Sequence, residues 1–241
     1  MPDAQAVATA VAERVCQAQQ AELRKPLGLA TGRTMEPVYA ALRLQLGRLK
    51  PQEQQAIRDG WLSFNLDEYV GLAADDPRSF AAFMADQLQR PLGLRADQVR
   101  LPDGLAADPQ AEAHRYATAL AAAGGLGLQL LGLGGNGHVG FNEPPCAAQA
   151  PCRCLQLSPA TRAQNAGAFG GDAGAVPHQA ITLGLVEILA AERILLVVTG
   201  AAKAGILRRV LEESPHDTLP ASWLQGHPAV TVIADAAALA G

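Results

Sequence analysis

The chain of 241 residues is 49% hydrophobic and only 4% aromatic, with a formal net charge of −4 at pH 7. These values suit one large domain with an aliphatic core, and the lack of a basic run excludes a dedicated nucleic-acid surface. No uncharged apolar stretch reaches the roughly 18 residues of a membrane span; the opening residues, with Asp3 and Glu13, do not read as a signal peptide, so the cytoplasm is the default location.

Ala6, Val7, Ala10, Val11 and Val15 recur at helical spacing, so residues 2–22 read as a helix that Pro26 follows. Leu27 to Ala30 is a short apolar strand. Thr31, Gly32, Arg33 and Thr34 lead from it into a helix starting at Met35 or Glu36 and ending near Leu49. Thr34 is the expected N-cap and Pro37 lies in the first turn. In a strand–glycine–helix arrangement, free N–H groups and the positive helix end attract an anion. Arg33 adds a charge-assisted contact. The same pattern also fits an ordinary βα turn that needs only Gly32.

Residues 51–60 are polar and read as a loop. Trp61 to Leu66 reads as the next strand, running into Asp67 and Glu68. Adjacent carboxylates at a strand end point in different directions, so one is expected to face a cleft and the other to form a salt bridge or cap. Asp76-Pro77 opens a helix to about Leu88, with Phe80, Phe83, Met84 and Leu88 as its buried stripe. Val99 to Pro102 is a short edge segment, residues 103–109 are a loop, and Pro109 to Ala123 is a helix.

The stretch richest in chemistry is LQLLGLGGNGHVGFNEPP, Leu128 to Pro145. Leu128, Leu130, Leu131 and Leu133 read as a fully buried strand. Asn136, His138, Asn142 and Glu143 then fall within eight residues, at the carboxyl end where open α/β sheets place ligands. His138 and Glu143 are spaced for one acid–base relay. Gly132, Gly134 and Gly137 match the dinucleotide fingerprint, but HVGFNEPP follows in place of a helix and no acid lies between Glu143 and Asp172. The match is therefore not read as a nicotinamide site. Cys146, Cys152 and Cys154 are spaced unlike any common zinc pattern and read as reduced loop cysteines.

Residues 144–177 lack regularity, read as a candidate lid, and hold at most a short helix around Thr161 to Ala168. Order resumes at Ala180 to Gly184, with a helix from Leu185 to Ala191 and a buried strand from Arg193 to Thr199. That strand ends in Gly200 and Lys203, and a helix continues to Leu211. Lys203 suits a phosphate or carboxylate, and equally a lysine snorkelling at the surface. Residues 214–222 are turn-like, and Val230 to Ala234 is the last strand. The alternation predicts an α/β fold: a mostly parallel, doubly wound, Rossmann-like sheet with helices on both faces, in a single domain over 1–241.

With these pieces placed, the chain resembles the glucosamine-6-phosphate deaminase family, within the wider group that includes 6-phosphogluconolactonases. The resemblance runs nearly end to end. It rests on LGLATGRT (27–34), FNLDEYVGL (64–72), LGLGGNGHVGFNEP (131–144), HQAITLGL (178–185), VVTGAAKA (197–204) and ASWLQGHPAVTVIAD (221–235). The lactonase branch more typically carries an Asp-Glu-Arg turn and lacks Gly-Phe-Asn-Glu-Pro.

The resemblance implies an isomerising deaminase that converts glucosamine 6-phosphate to fructose 6-phosphate and ammonia. The alternatives are a lactonase, a deaminase of another amino-sugar phosphate, or a non-catalytic sugar-phosphate sensor. Asp67 matches the family's proton-transfer base, His138 the ring-opening histidine, and Glu143 its partner carboxylate. Asn136 stands at a position that is Asp or Asn among members, and as Asn it orients His138 without adding charge. Thr31, Gly32, Arg33 and Thr34 match the phosphate loop, Lys203 a phosphate-binding lysine, and residues 157–180 the lid. The implied partner is a small-molecule sugar phosphate, with no nucleic acid, membrane, cofactor or metal, and a homo-oligomer is compatible. One departure stands out. The family usually carries a lid arginine, in a run like Asn-Ala/Ser-Arg-Phe-Phe, where this chain has Asn165-Ala166-Gly167-Ala168-Phe169. Arg33 or Arg162 is the expected substitute. Around Arg153, Leu155 and Gln156 replace the basic and hydroxyl residues that the allosteric site of some hexameric members would need.

Overall fold

The structure is a computed structural model and describes residues 1–21 and 24–240. Its strands are β1 (Leu27–Leu29), β2 (Ser63–Asn65), β3 (Asp67–Tyr69), β4 (Val99–Arg100), β5 (Leu128–Gly132), β6 (Arg153–Gln156), β7 (Gln179–Thr182), β8 (Ile194–Val198) and β9 (Val230–Ala234). A six-stranded sheet in the order β4-β2-β1-β5-β8-β9 is parallel throughout. The chain moves outward from β1 on one side and from β5 on the other, so the order reverses between them. In an open parallel sheet, ligands bind in the crevice at such a reversal, beyond the carboxyl ends of the strands. The chain leaves β1 through Thr31 to Thr34 and β5 through Leu133 to His138, so both loops border that crevice.

Helices surround the sheet: α1 (Ala4–Gln20), α2 (Met35–Gly47), α3 (Pro51–Asp59), α4 (Phe80–Met84), α5 (Arg90–Leu92), α6 (Pro109–Ala122), α7 (Pro159–Asn165), α8 (Leu185–Leu189), α9 (Ala204–Glu212) and α10 (Ala236–Leu239). The mostly parallel α/β architecture is the one expected. No helix is long and apolar enough to cross a membrane among the described residues. Residue 22, the expected end of the first helix, lies outside the described residues.

Several local expectations change. Residues 51–60 are not a loop: Pro51 opens α3 and the Glu53 carboxylate accepts the Lys50 N–H at 2.9 Å. Only Ile57 is buried there, so the helix shows no apolar stripe in sequence. The helix expected from Asp76 begins at Phe80. Asp76 instead turns back to accept the Arg78 N–H at 2.9 Å, and Ser79 is the N-cap, accepting from the Ala82 N–H at 3.0 Å. Between α4 and α5 lies a π-helical turn, Ala85–Gln89. Pro91 has no N–H with which to close an α-helical bond onto the Gln87 carbonyl. The Arg43 Nη1 of α2 donates to that carbonyl instead, at 2.6 Å.

The largest unexpected feature is a second sheet. The chain bends at Leu66, and β3 leaves β2 to pair antiparallel with β7, which also pairs with β6, in the order β3-β7-β6. A separate apolar cluster of Tyr69, Leu72, Phe141, Leu157, Ala166, Phe169, Val176 and Ala180 covers it, so the region expected to be a lid has its own core.

Replacing Arg43 by Met should leave the Gln87 carbonyl without its donor and cost about 1–3 kcal/mol in urea unfolding. Adding Pro91→Ala, which restores an N–H, should recover part of the loss. Additive effects of the two changes would contradict this account of the π turn.

Candidate active site

A cavity of about 640 Å³ opens over the reversal between β1 and β5. Thr31, Gly32, Arg33, Thr34, Asp67, His138 and Lys203 all line it, so most of the expected site residues converge on one space.

Asp67 is the first residue of β3 and lies opposite Thr182 of β7. Side chains alternate along a strand, and the two adjacent carboxylates part accordingly. Glu68 turns inward and accepts the N–H groups of Phe80 at 3.0 Å and Ala81 at 2.7 Å, capping α4. Asp67 lines the cavity, and among the described residues no group donates a hydrogen bond to its carboxylate. It is only 6% exposed. Burial, and secondarily the charge of Glu68, pushes its pKa up to about 8. A carboxylate without donors in a dry site holds its proton more tightly and is a stronger base once ionised.

His138 lies against the loop that follows β5. A Cβ at Gly134 would lie 2.3 Å from His138 Nε2, so only glycine lets the ring rest there. The Nδ1 is 2.6 Å from Asn136 Oδ1. An amide oxygen only accepts, so Nδ1 carries the proton and Nε2 keeps a lone pair. Burial lowers the His138 pKa, the charge of Glu143 opposes this, and Lys203 adds to it.

Glu143 meets His138 through its field and not by a hydrogen bond. Its carboxylate accepts the Ser158 N–H at 3.0 Å, the Ser158 hydroxyl at 2.8 Å and the Thr161 hydroxyl. The relay expected from spacing is therefore split: Asn136 orients the imidazole, and Glu143 is held by the first turn of α7. Neither Ser158 nor Thr161 stands out in the sequence as a partner of Glu143. The Ser-Pro start of α7, a cap followed by proline at the first helical position, was the available signal.

The cationic side of the cavity is built from the loop after β1 and from the turn before α9. Gly32 has φ +99°, a conformation that a side chain would strain, and its carbonyl accepts the Met35 N–H at 2.9 Å. Thr34 does not act as the expected cap. Its backbone is already helical (φ −66°, ψ −29°) and its hydroxyl makes no cap bond. Burial and then the charge of Arg33 lower the pKa of Lys203, so two cations face one space. Arg162 does not take the place of the missing arginine: it donates to the carbonyls of Ala173 at 2.9 Å, Gly174 at 3.2 Å and Val176 at 3.1 Å, tying the region expected to be a lid to itself. Gly167 does line the cavity, and a Cβ there would meet nothing within 4 Å. Arg78, unremarked in sequence, lines the cavity as well. The cysteines are free, and burial raises the Cys152 thiol to about 12, as suits an inert loop cysteine.

Residues 2–233 match the family model for glucosamine-6-phosphate isomerases/6-phosphogluconolactonase. The chain is 40% identical over 240 residues to a glucosamine-6-phosphate deaminase of Streptomyces coelicolor, spanning 99% of this chain and 89% of the relative. A solved monomeric glucosamine-6-phosphate deaminase of the NagB superfamily superposes with a TM-score of 0.93 at 33% identity, covering 100% of this chain and 97% of that one. A 6-phosphogluconolactonase from Leishmania guyanensis shares the fold, with a TM-score of 0.76 at 23% identity over 99% of this chain and 95% of that one.

The raised pKa of Asp67 has a consequence for stability. Between the unfolded value near 4 and the folded value of about 8, the native state holds more protons than the unfolded state. Stability from this group is therefore lost as pH rises through that window, by up to about 1.4 kcal/mol per pH unit. Urea unfolding at pH 5 and pH 8 should show wild type losing stability relative to Asp67→Asn. Parallel pH dependences would contradict an uncompensated carboxylate.

Proposed function

The chain belongs to the family of glucosamine-6-phosphate isomerases and 6-phosphogluconolactonases, and we propose that it is an isomerising deaminase converting glucosamine 6-phosphate and water to fructose 6-phosphate and ammonia. The observation that carries this reading is Asp67, an ionisable carboxylate without donors that faces the same cavity as His138 and the Arg33–Lys203 pair.

The phosphate binds to the loop Thr31 to Thr34 with Arg33 and Lys203, where backbone N–H groups and two cations complement a dianion. Binding far from the reacting carbons supplies orientation energy. His138 Nε2 takes the proton of the anomeric hydroxyl and delivers it to the ring oxygen, opening the sugar. Asn136 fixes the tautomer, and the Glu143 charge steadies the imidazolium that forms in between. Ionised Asp67 removes the proton from C2 and returns it to C1, while the C1 carbonyl oxygen takes a proton from the substrate ammonium and becomes a hydroxyl, which moves unsaturation to the C2–N bond. Water adds to C2, the C–N bond breaks, and ammonia leaves with a proton. Lactone hydrolysis would need only His138 as a base for water and would leave Asp67 without a task. The groups proposed come from one chain. A phosphorylated sugar substrate supports the cytoplasm as the place of reaction.

Wild type should release ammonia from glucosamine 6-phosphate and form fructose 6-phosphate in equal amount. The kcat/KM should rise with pH through about 8 as Asp67 ionises, and Asp67→Asn should lower it by roughly 10²–10⁴-fold. A coupled assay across pH 6–9 checks this. Full activity in Asp67→Asn, or no ammonia at millimolar substrate, would overturn the reading.

A further inference from the structure

We propose that Arg78 is a third phosphate-binding group of the cavity, supplied by the loop before α4 and facing the lid; this rests on the sugar-phosphate reading above. Helices α2 and α4 meet near their starts. Tyr39, one turn into α2, meets Phe83, one turn into α4, edge to face at 6.4 Å between ring centroids. The loops entering the two helices therefore reach one rim, and each sends a guanidinium-bearing residue, Arg33 and Arg78, to the cavity wall.

Arg78 is held for this task. Its Nε and Nη2 donate to the two oxygens of Asp76 at 2.8 Å and 2.6 Å. Its guanidinium carbon lies 5.6 Å from the centre of the Phe169 ring, on the lid. One edge is thus fixed by Asp76 and one face by Phe169. A guanidinium has five N–H donors. Among the described residues no acceptor besides Asp76 engages them. The lid itself lines the cavity with Gln164, Asn165, Gly167 and Ala168 and brings no charge. Arg78 is the cation that faces this neutral wall. Asp76 offsets its charge at long range, so its contribution is a short-range hydrogen bond to phosphate oxygen and not a field. A substrate bound this way would touch Arg78 and the lid together, so phosphate binding and lid packing on Phe169 would share one residue.

The test is calorimetric affinity for inorganic phosphate and for glucosamine 6-phosphate, with KM and kcat, in wild type, Arg78→Ala, Arg78→Gln and Phe169→Leu. Arg78→Gln keeps two of the three methylenes of the stem and guards against local unfolding. Both Arg78 variants should bind inorganic phosphate and the sugar phosphate roughly tenfold or more weakly and raise KM in step, with kcat little changed. Phe169→Leu should alter phosphate affinity by less than about twofold, since it removes packing and no donor. Wild-type phosphate affinity in the Arg78 variants would overturn the proposal. So would an equal loss in Phe169→Leu, which would assign Arg78 to lid packing alone. Inorganic phosphate binding needs no turnover, so an inactive wild type that still binds phosphate through Arg78 would defeat the deaminase reading and leave this one standing.

Discussion

The constraint on which the rest of the site depends is the burial of one carboxylate that has no hydrogen-bond donor among the described residues. Asp67 is placed where the chain quits the parallel sheet at Leu66 and joins the antiparallel one. Its neighbour Glu68 cannot turn to share the cavity, because it is committed to the first N–H groups of α4. The backbone alternation that sends Glu68 inward sends Asp67 to the cavity. Stability is surrendered to keep it there, as the upward shift of its pKa records. An acid that is costly to ionise is a strong base once ionised, and the proposed chemistry draws on that difference.

A second dependence links α7 and the segment after it to Glu143 and His138. Glu143 comes from the loop after β5, yet its carboxylate is bound by the first turn of α7. That turn belongs to a region with its own apolar cluster, anchored on Tyr69 next to Asp67 and Glu68. A shift of α7 would therefore change both what Glu143 faces and how tightly the cavity is closed. On the proposed reading, the field that Glu143 exerts at His138 is set by the lid as well as by sequence spacing.

Much of the main sheet was legible, for a physical reason. The run ILLVV is apolar throughout, and LQLL apolar but for the buried Gln129, because both faces are covered, and each is followed by a glycine turn. The smaller sheet was not. Its strands DEY, RCLQ and QAIT are short, mixed in polarity and paired across long sequence distances. Helix α3 was hidden because its single buried residue leaves no periodicity. At the site, the convergence of 31–34, Asp67, His138 and Lys203 follows from reading strand ends. The adjacent carboxylates imply a split between Asp67 and Glu68, and the resemblance assigns the base to Asp67; that Glu68 caps α4 depends on contacts 12 and 13 residues away. The partners of Glu143 lie 15 and 18 residues away, beyond any local pattern. Arg78 was masked because Asp-Pro at 76–77 reads as a helix start, while the chain makes a side-chain turn there instead.

The central claim is that one enclosed carboxylate carries a single proton from C2 to C1. The measurement that tests it most directly uses glucosamine 6-phosphate deuterated at C2, with the position of the label in the product read by NMR. Because Asp67 is nearly sealed from solvent, part of the deuterium should appear at C1 of fructose 6-phosphate. A product whose new C1 hydrogen derives entirely from water would contradict a shielded base that removes and returns the same proton.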